Sequence, residues 1–183
     1  GLACGVAMIA SISLMLVAEK FSQVNVTILS AVVAGACLGF LPYNFNPAKI
    51  FMGDTGALLL GFMLAAISIE GVMKSVATIA VVVPILILGV PIFDTTFAIF
   101  RRLFSGKSIA AADKGHLHHR LLDKGFSQKQ TVFILYGLSA VFGVFAVIVA
   151  KANSKQAVYL SVLLFLAAIL FALKLGMFSN KKR

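Results

Sequence analysis

SQKQTVFILYGLSAVFGVFAVIVAK, residues Ser127–Lys151, carries no charged side chain from Gln130 to Ala150. An α-helix needs about 20 apolar residues to cross the hydrocarbon of a bilayer, and this run supplies them. Its opening, Ser127-Gln128-Lys129-Gln130, has the form of a capping box. In that motif the serine oxygen accepts from a backbone N–H of the first turn, and the glutamine three residues on answers the N–H of the cap. The stretch therefore predicts a membrane helix with a defined start. Gly125, just before it, predicts the stop of a short preceding helix.

Working outward, apolar runs of comparable length lie at about 1–18, 24–41, 55–70, 75–100 and 156–173, which makes six spanning candidates with 130–150. The third is short and contains glycine. The fourth is long and holds Pro84 and Pro91, which predict kinks. Composition agrees, with 61% apolar residues, 12% charged residues and a mean hydropathy of +1.04. These values lie far from those of soluble globular domains. The expected fold class is an all-α, polytopic integral membrane protein of about six transmembrane helices. Residues 1–183 read as one transmembrane domain, with loops at 42–54 and 101–129.

A net charge of +10 in a soluble chain would point to nucleic acid. Here the cations cluster in short segments between apolar runs, which is an orientation signal, so no nucleic-acid partner is expected. In a six-helix topology, twelve Lys and Arg fall on one side and four on the other. Lys49, loop 101–129 and the C-terminal end make up the first set; Lys20, Lys74, Lys151 and Lys155 make up the second. The positive-inside rule puts the first set in the cytoplasm. Asp54, the end of the helix carrying Asp94, and all three histidines then share the cytoplasmic face. Cys4 and Cys37 fall inside apolar runs without metal-binding spacing and read as small core residues. The chain begins at Gly1 within an apolar run, with neither a charged n-region nor a cleavage site, and is expected to be a fragment of a larger protein.

Three places carry candidate chemistry. Phe51-Met52-Gly53-Asp54-Thr55-Gly56 sets a carboxylate between two glycines at the threshold of a membrane helix. Asp54 reads either as an N-cap of a helix from Thr55 or as a hard oxygen ligand for Mg²⁺, completed by water and substrate phosphates. Asp113-Lys114-Gly115-His116-Leu117-His118-His119-Arg120 does not match zinc-ligand spacing. It reads either as a basic topology-setting loop or as an anion cradle, and three histidines in four positions favour the cradle, because topology needs only Lys and Arg. Asp94 lies inside the fourth span, and an ion pair with Arg101 or Arg102 is its expected state.

Asn44-Phe45-Asn46-Pro47-Ala48-Lys49-Ile50-Phe51-Met52-Gly53-Asp54-Thr55-Gly56, with Pro91-Ile92-Phe93-Asp94-Thr95 and the histidine segment, resembles the C-terminal half of the polyprenyl-phosphate N-acetylhexosamine-1-phosphate transferases. The HxHHR form is nearer the bacterial undecaprenyl-phosphate N-acetylglucosamine-1-phosphate transferases than the phospho-N-acetylmuramoyl-pentapeptide transferases, whose motif is three consecutive histidines. The resemblance implies Mg²⁺-dependent (or Mn²⁺-dependent) transfer of a sugar-1-phosphate from a UDP-N-acetylhexosamine to undecaprenyl phosphate, with release of UMP. It implies a multi-pass protein of the bacterial plasma membrane, active on the cytoplasmic face, with a homodimer left open.

By the same resemblance Asp54 matches the magnesium ligand, Phe51 the aromatic that stacks on uracil, and Asn44 an asparagine lining the uridine pocket. His116, His118 and His119 match the motif that engages the diphosphate, with Lys114 and Arg120 as assisting anion-binding groups. Ala112 stands where many relatives carry proline. The family's paired aspartates do not occur in these residues, so the chain by itself is expected to be inactive. The alternative classes are half of a transporter, with Asp94 and the broken fourth helix lining a path, and a structural membrane subunit.

Overall fold

The computed structural model describes residues 1–72, 77–104 and 115–174, which form helices joined by short turns, with no strand among them. The helices are α1 (Leu2–Lys20), α2 (Val24–Asn44), α3 (Gly53–Val72), α4 (Ala77–Ile87), α5 (Gly89–Phe104), α6 (Leu117–Asp123), α7 (Gln128–Lys151) and α8 (Ser154–Lys174). Four of them, α1, α2, α3 and α7, are long and apolar enough to cross a membrane, and the bent pair α4–α5 raises the count to five. α8 covers the sixth expected run, with Lys155–Ala167 as its apolar length. The all-helical membrane architecture thus matches the sequence expectation. The loops are tighter than expected, since α2 continues to Asn44, α3 starts at Gly53, and α6 forms within 101–129.

Every long helix except α5 is apolar around most of its circumference, and side chains such as Val32, Leu38, Phe62, Ile69 and Val144 face outward. A soluble protein rarely leaves such surface in water, whereas lipid hydrocarbon accepts it without cost. Within the bundle α1 packs against α2 and α7 through small residues. A Cβ at Gly5 would fall 1.9 Å from the Tyr136 ring, and one at Gly143 only 2.2 Å from the Ser13 hydroxyl. Close backbone approach of this kind is how helices gain contact where water cannot drive them together. Cys4 and Cys37 are both buried in this core, and the Cys4 thiol donates to the Cys37 carbonyl at 3.2 Å.

Hydrogen bonds identify the two ends of the bundle. At one end the Gly1 amine donates to the Asn44 carbonyl at 2.7 Å, and Asn46 bonds Gln128 at the start of α7. At the other, Lys20 donates to Ala150 at 3.1 Å and Gln23 to Gly71 at 2.9 Å. This places Lys20 and the end of α7 opposite the loop that carries Lys49, as the alternation of spans requires. Lys74, Lys107, Lys114, Lys181, Lys182 and Arg183 lie outside the described residues.

The fourth expected span is broken rather than kinked: its two parts meet at 83° across Leu88. Pro91 accounts for the position. Having no N–H, it leaves the carbonyl four residues back unbonded, at Ile87, where α4 ends. Pro84 by contrast sits within α4, tolerated one turn before the break. Gly89 opens α5 with its backbone against Phe142, which is 2% exposed; a Cβ there would come 2.5 Å from the ring. Gly89→Ala is expected to cost about 1–3 kcal/mol through overpacking at this junction. A lowered unfolding midpoint of the purified protein in detergent checks it, and an unchanged midpoint would show that the junction yields freely.

Candidate active site

The segment before α3 folds back onto the end of α2. The Tyr43 carbonyl accepts the N–H groups of Lys49 and Ile50 at 2.8 and 3.0 Å, and the buried Asn44 amide donates to the Ile50 carbonyl at 2.9 Å. Asn44 is therefore a loop-closing residue. Gly53 then takes φ +68°, a left-handed conformation that costs a glycine little, and Gly56 leaves room for Met52, whose Cγ would lie 2.5 Å from an added Cβ. Gly53 thus turns the chain and Gly56 seats Met52. With Met52 tucked in, Phe51 is left 83% exposed and Asp54 stands exposed in the first turn of α3.

The N-cap reading of Asp54 is corrected by this geometry. The helix begins at Gly53, so Asp54 lies inside it, and its carboxylate takes no hydrogen bond or ion pair among the described residues. The helix dipole still favours a negative charge there. An exposed, unpartnered carboxylate fits a magnesium ion, which binds through one or two carboxylates and keeps water and substrate phosphates as its other ligands. Among the described residues no group of three or more His, Cys, Asp or Glu gathers to hold a metal.

The histidine segment is ordered by α5 and by its own short helix. α6 ends at Asp123, with Lys124 as its C-cap and Gly125 at φ +93°; the Gly125 N–H reaches the Leu122 carbonyl at 2.9 Å and the Phe126 N–H the Leu121 carbonyl at 3.2 Å. This is a Schellman closure, which satisfies the last carbonyls and turns the chain into α7. There Ser127 accepts from the Gln130 N–H at 3.2 Å and Gln130 from the Ser127 N–H at 2.8 Å, completing the capping box. Two abrupt, well-satisfied helix ends thus fix α6 against α7 within a few residues of the Asn46–Gln128 bond.

At the start of α6 the imidazoles form one cluster. His116 and His118 stack at 6.0 Å between ring centroids, and His118 and His119 approach to 4.1 Å. Burial, and next to it the neighbouring His119, push the His118 imidazole below its ordinary 6.5. Held neutral by the fold, His118 refuses a proton that the unfolded chain accepts. Its contribution to stability is therefore complete above pH 6.5 and is lost as the pH falls through the lowered value. The melting temperature is expected to drop as the pH falls below 6.5, and His118→Gln to flatten that slope, measured by thermal unfolding across pH. A variant with an undiminished slope would assign it elsewhere.

Asp94 does not pair with Arg101 or Arg102 in the way the sequence leads one to expect. Its Oδ2 faces His116 Nδ1 at 3.0 Å, and its Oδ1 accepts the Leu117 N–H at 2.7 Å. Arg101 instead donates to the Gly115 carbonyl at 2.8 Å, which Arg120 also reaches at 3.3 Å. A Cβ at Gly115 would fall 2.1 Å from the Arg101 guanidinium, so a larger residue there would push the end of that side chain aside. Asp94 is the site residue that sequence reading assigned a structural role; an acid placed within an apolar span, with histidines in the next segment, was the signal available.

The structure therefore brings His116, His118, His119, Arg120 and Asp94 into one cluster. Asn44, Phe51 and Asp54 sit at the same end of the bundle through the Asn46–Gln128 bond. Lys114 lies outside the described residues. Beside the break, an apolar cleft of about 520 Å³ opens between α1, α3 and α5, lined by Ala7, Leu64, Leu88, Pro91 and Thr95 among others.

Residues 1–72 match the model of the glycosyl transferase family 4. Over 171 residues, 93% of this chain, the sequence is 43% identical to the probable undecaprenyl-phosphate N-acetylglucosaminyl 1-phosphate transferase of Bacillus subtilis. The chain is similar to this family over most of its length. Among other relatives, the decaprenyl-phosphate N-acetylglucosaminephosphotransferase of Mycobacterium tuberculosis is 45% identical over 60% of the chain. The phospho-N-acetylmuramoyl-pentapeptide-transferase of Halalkalibacterium halodurans is 33% identical over 80% of it. The chain covers 47%, 30% and 43% of these three relatives, less than half of each. Higher identity to the N-acetylglucosamine members agrees with the HxHHR form of the histidine motif. No solved structure matches the chain.

Proposed function

We propose that these residues form the histidine-bearing part of a Mg²⁺-dependent enzyme of the bacterial plasma membrane. It transfers N-acetylglucosamine-1-phosphate from a UDP-sugar to undecaprenyl phosphate and releases UMP at the cytoplasmic face. The observation that carries this reading is the convergence, at one end of an apolar bundle, of an unpartnered carboxylate and three clustered imidazoles. A diphosphate needs both cationic or N–H groups and a metal-binding carboxylate near it.

The chemistry asks little covalent help from the protein. An oxygen of the lipid phosphate bonds the sugar-bearing phosphorus of the UDP-sugar, and the bond from that phosphorus to the bridging oxygen breaks, so UMP leaves with the electron pair. Catalysis is then chiefly positioning and charge neutralisation. Asp54 would hold the magnesium ion, which when bound offsets phosphate charge. Phe51, with its ring exposed, offers a face on which a uracil stacks. The imidazoles and Arg120 offer donors to the diphosphate, and the apolar cleft beside Thr95 offers isoprene units a wall away from water.

The test is UMP release from UDP-N-acetylglucosamine, undecaprenyl phosphate and Mg²⁺, run on this chain and on the complete gene product that contains it. Release by the complete protein and none by these 183 residues is expected. Robust release by the chain would remove the idea that it holds half of a site; none from the complete protein would sink the transferase reading.

A further inference from the structure

An acid in an apolar span is costly unless its partners are supplied by the fold, and those of Asp94 come from a segment more than twenty residues away in sequence. A carboxylate only accepts hydrogen bonds, so the Asp94–His116 contact leaves the ring hydrogen on Nδ1 and Nε2 as the outward nitrogen. The His116 side chain is 34% exposed and that of Asp94 21%, so the outward edge of the ring is open to a solute while the paired edge is shielded.

The grip is doubled. Seven residues along α5, about two turns and hence on the same face, Arg101 holds the Gly115 carbonyl. α5 thus fastens the backbone at residue 115, the ring at 116 and the N–H at 117. α5 is itself seated at its start, where Gly89 lies against Phe142.

We propose that Asp94 is a positioning residue for the transfer reaction. It fixes the His116 ring so that Nε2 faces the reacting phosphates, and its carboxylate stabilises the imidazolium form, in which Nε2, having taken a proton from water, donates a hydrogen bond to a phosphate oxygen. The same division of labour, an acid that orients an imidazole and stabilises its charged form without losing its own charge, operates in serine-protease triads. This inference rests on the transferase reading, and its test separates the two.

Asp94→Asn keeps an oxygen for the Leu117 N–H, so the cap of α6 survives, but sets an NH₂ group opposite Nδ1. The ring must then accept at that nitrogen and carry its hydrogen on Nε2. In the complete protein kcat for UMP release is expected to fall about 10- to 100-fold. Combined with His116→Ala, Asp94→Asn should cost nothing beyond His116→Ala by itself, because a residue acting through His116 has nothing left to orient. In parallel, ¹⁵N spectra of histidine-labelled protein, with His116 assigned by its loss in His116→Ala, should show Nδ1 protonated in the wild type and unprotonated in Asp94→Asn. Asp94→Ser, which also keeps an acceptor for the cap, carries the same measurements should the asparagine variant fail to accumulate.

Losses that multiply in the double variant, kcat within about twofold of wild type, or an unchanged His116 spectrum would each overturn the proposal. A wild-type protein that releases no UMP would overturn the transferase reading instead, and the His116 spectrum would then decide the pairing independently.

Discussion

Asp54→Asn in the complete protein is expected to lower Mg²⁺-dependent UMP release by about 10²- to 10³-fold, the scale on which removing one electrostatic group costs an enzyme. The substitution preserves size and shape and removes only the charge. Because the Asp54 carboxylate makes no capping bond and is exposed, α3 loses only its small dipole interaction, and membrane insertion and melting temperature should stay near wild type. Raising Mg²⁺ should recover part of the activity if the residual oxygen still binds the ion weakly. Near-normal turnover at ordinary Mg²⁺ would remove Asp54 from the site.

His116→Ala is expected to lower turnover by about 10²-fold, as loss of one positioned hydrogen-bond donor to a reacting phosphate does. This variant also separates enzyme from transporter, since a transport path through the broken helix has no use for an imidazole in the following segment. Retained turnover would count against the assigned role. Asp94 does not separate the two readings, because it would line a transport path and its bond to His116 also ties it to the transferase site. Pro84, inside α4 and one turn from the break, remains informative: a transport path should be sensitive to it and the transferase much less so.

Much of the helix plan was readable because membrane helices announce themselves by composition over long windows, and α1, α2, α3 and α7 fall on their expected runs. The capping box at Ser127 and the stop at Gly125 were also legible, since each depends on residues within one turn. The proline pair signalled distortion of the fourth span, yet the 83° break depends on how Gly89 seats against Phe142, and residues more than fifty apart do not declare their contact in sequence. At the site, Asp54 stood out by its glycine neighbours, while the duty of each glycine needed coordinates: one turns the backbone and the other admits Met52. Asp94 was visible as an anomaly but given the wrong partner. Arg101 was the nearest cation in sequence, and only the geometry shows it engaged with Gly115 while the acid meets His116.

The double fastening of α6 to α5 also bears on how such a sequence can drift. The His116 ring and its neighbouring backbone are registered by Asp94 and Arg101, which lie on another helix. A change at either residue therefore reaches the imidazoles without touching their own segment. The histidine segment is thus a docked piece, and part of its evolutionary constraint lies in moorings that α5 carries.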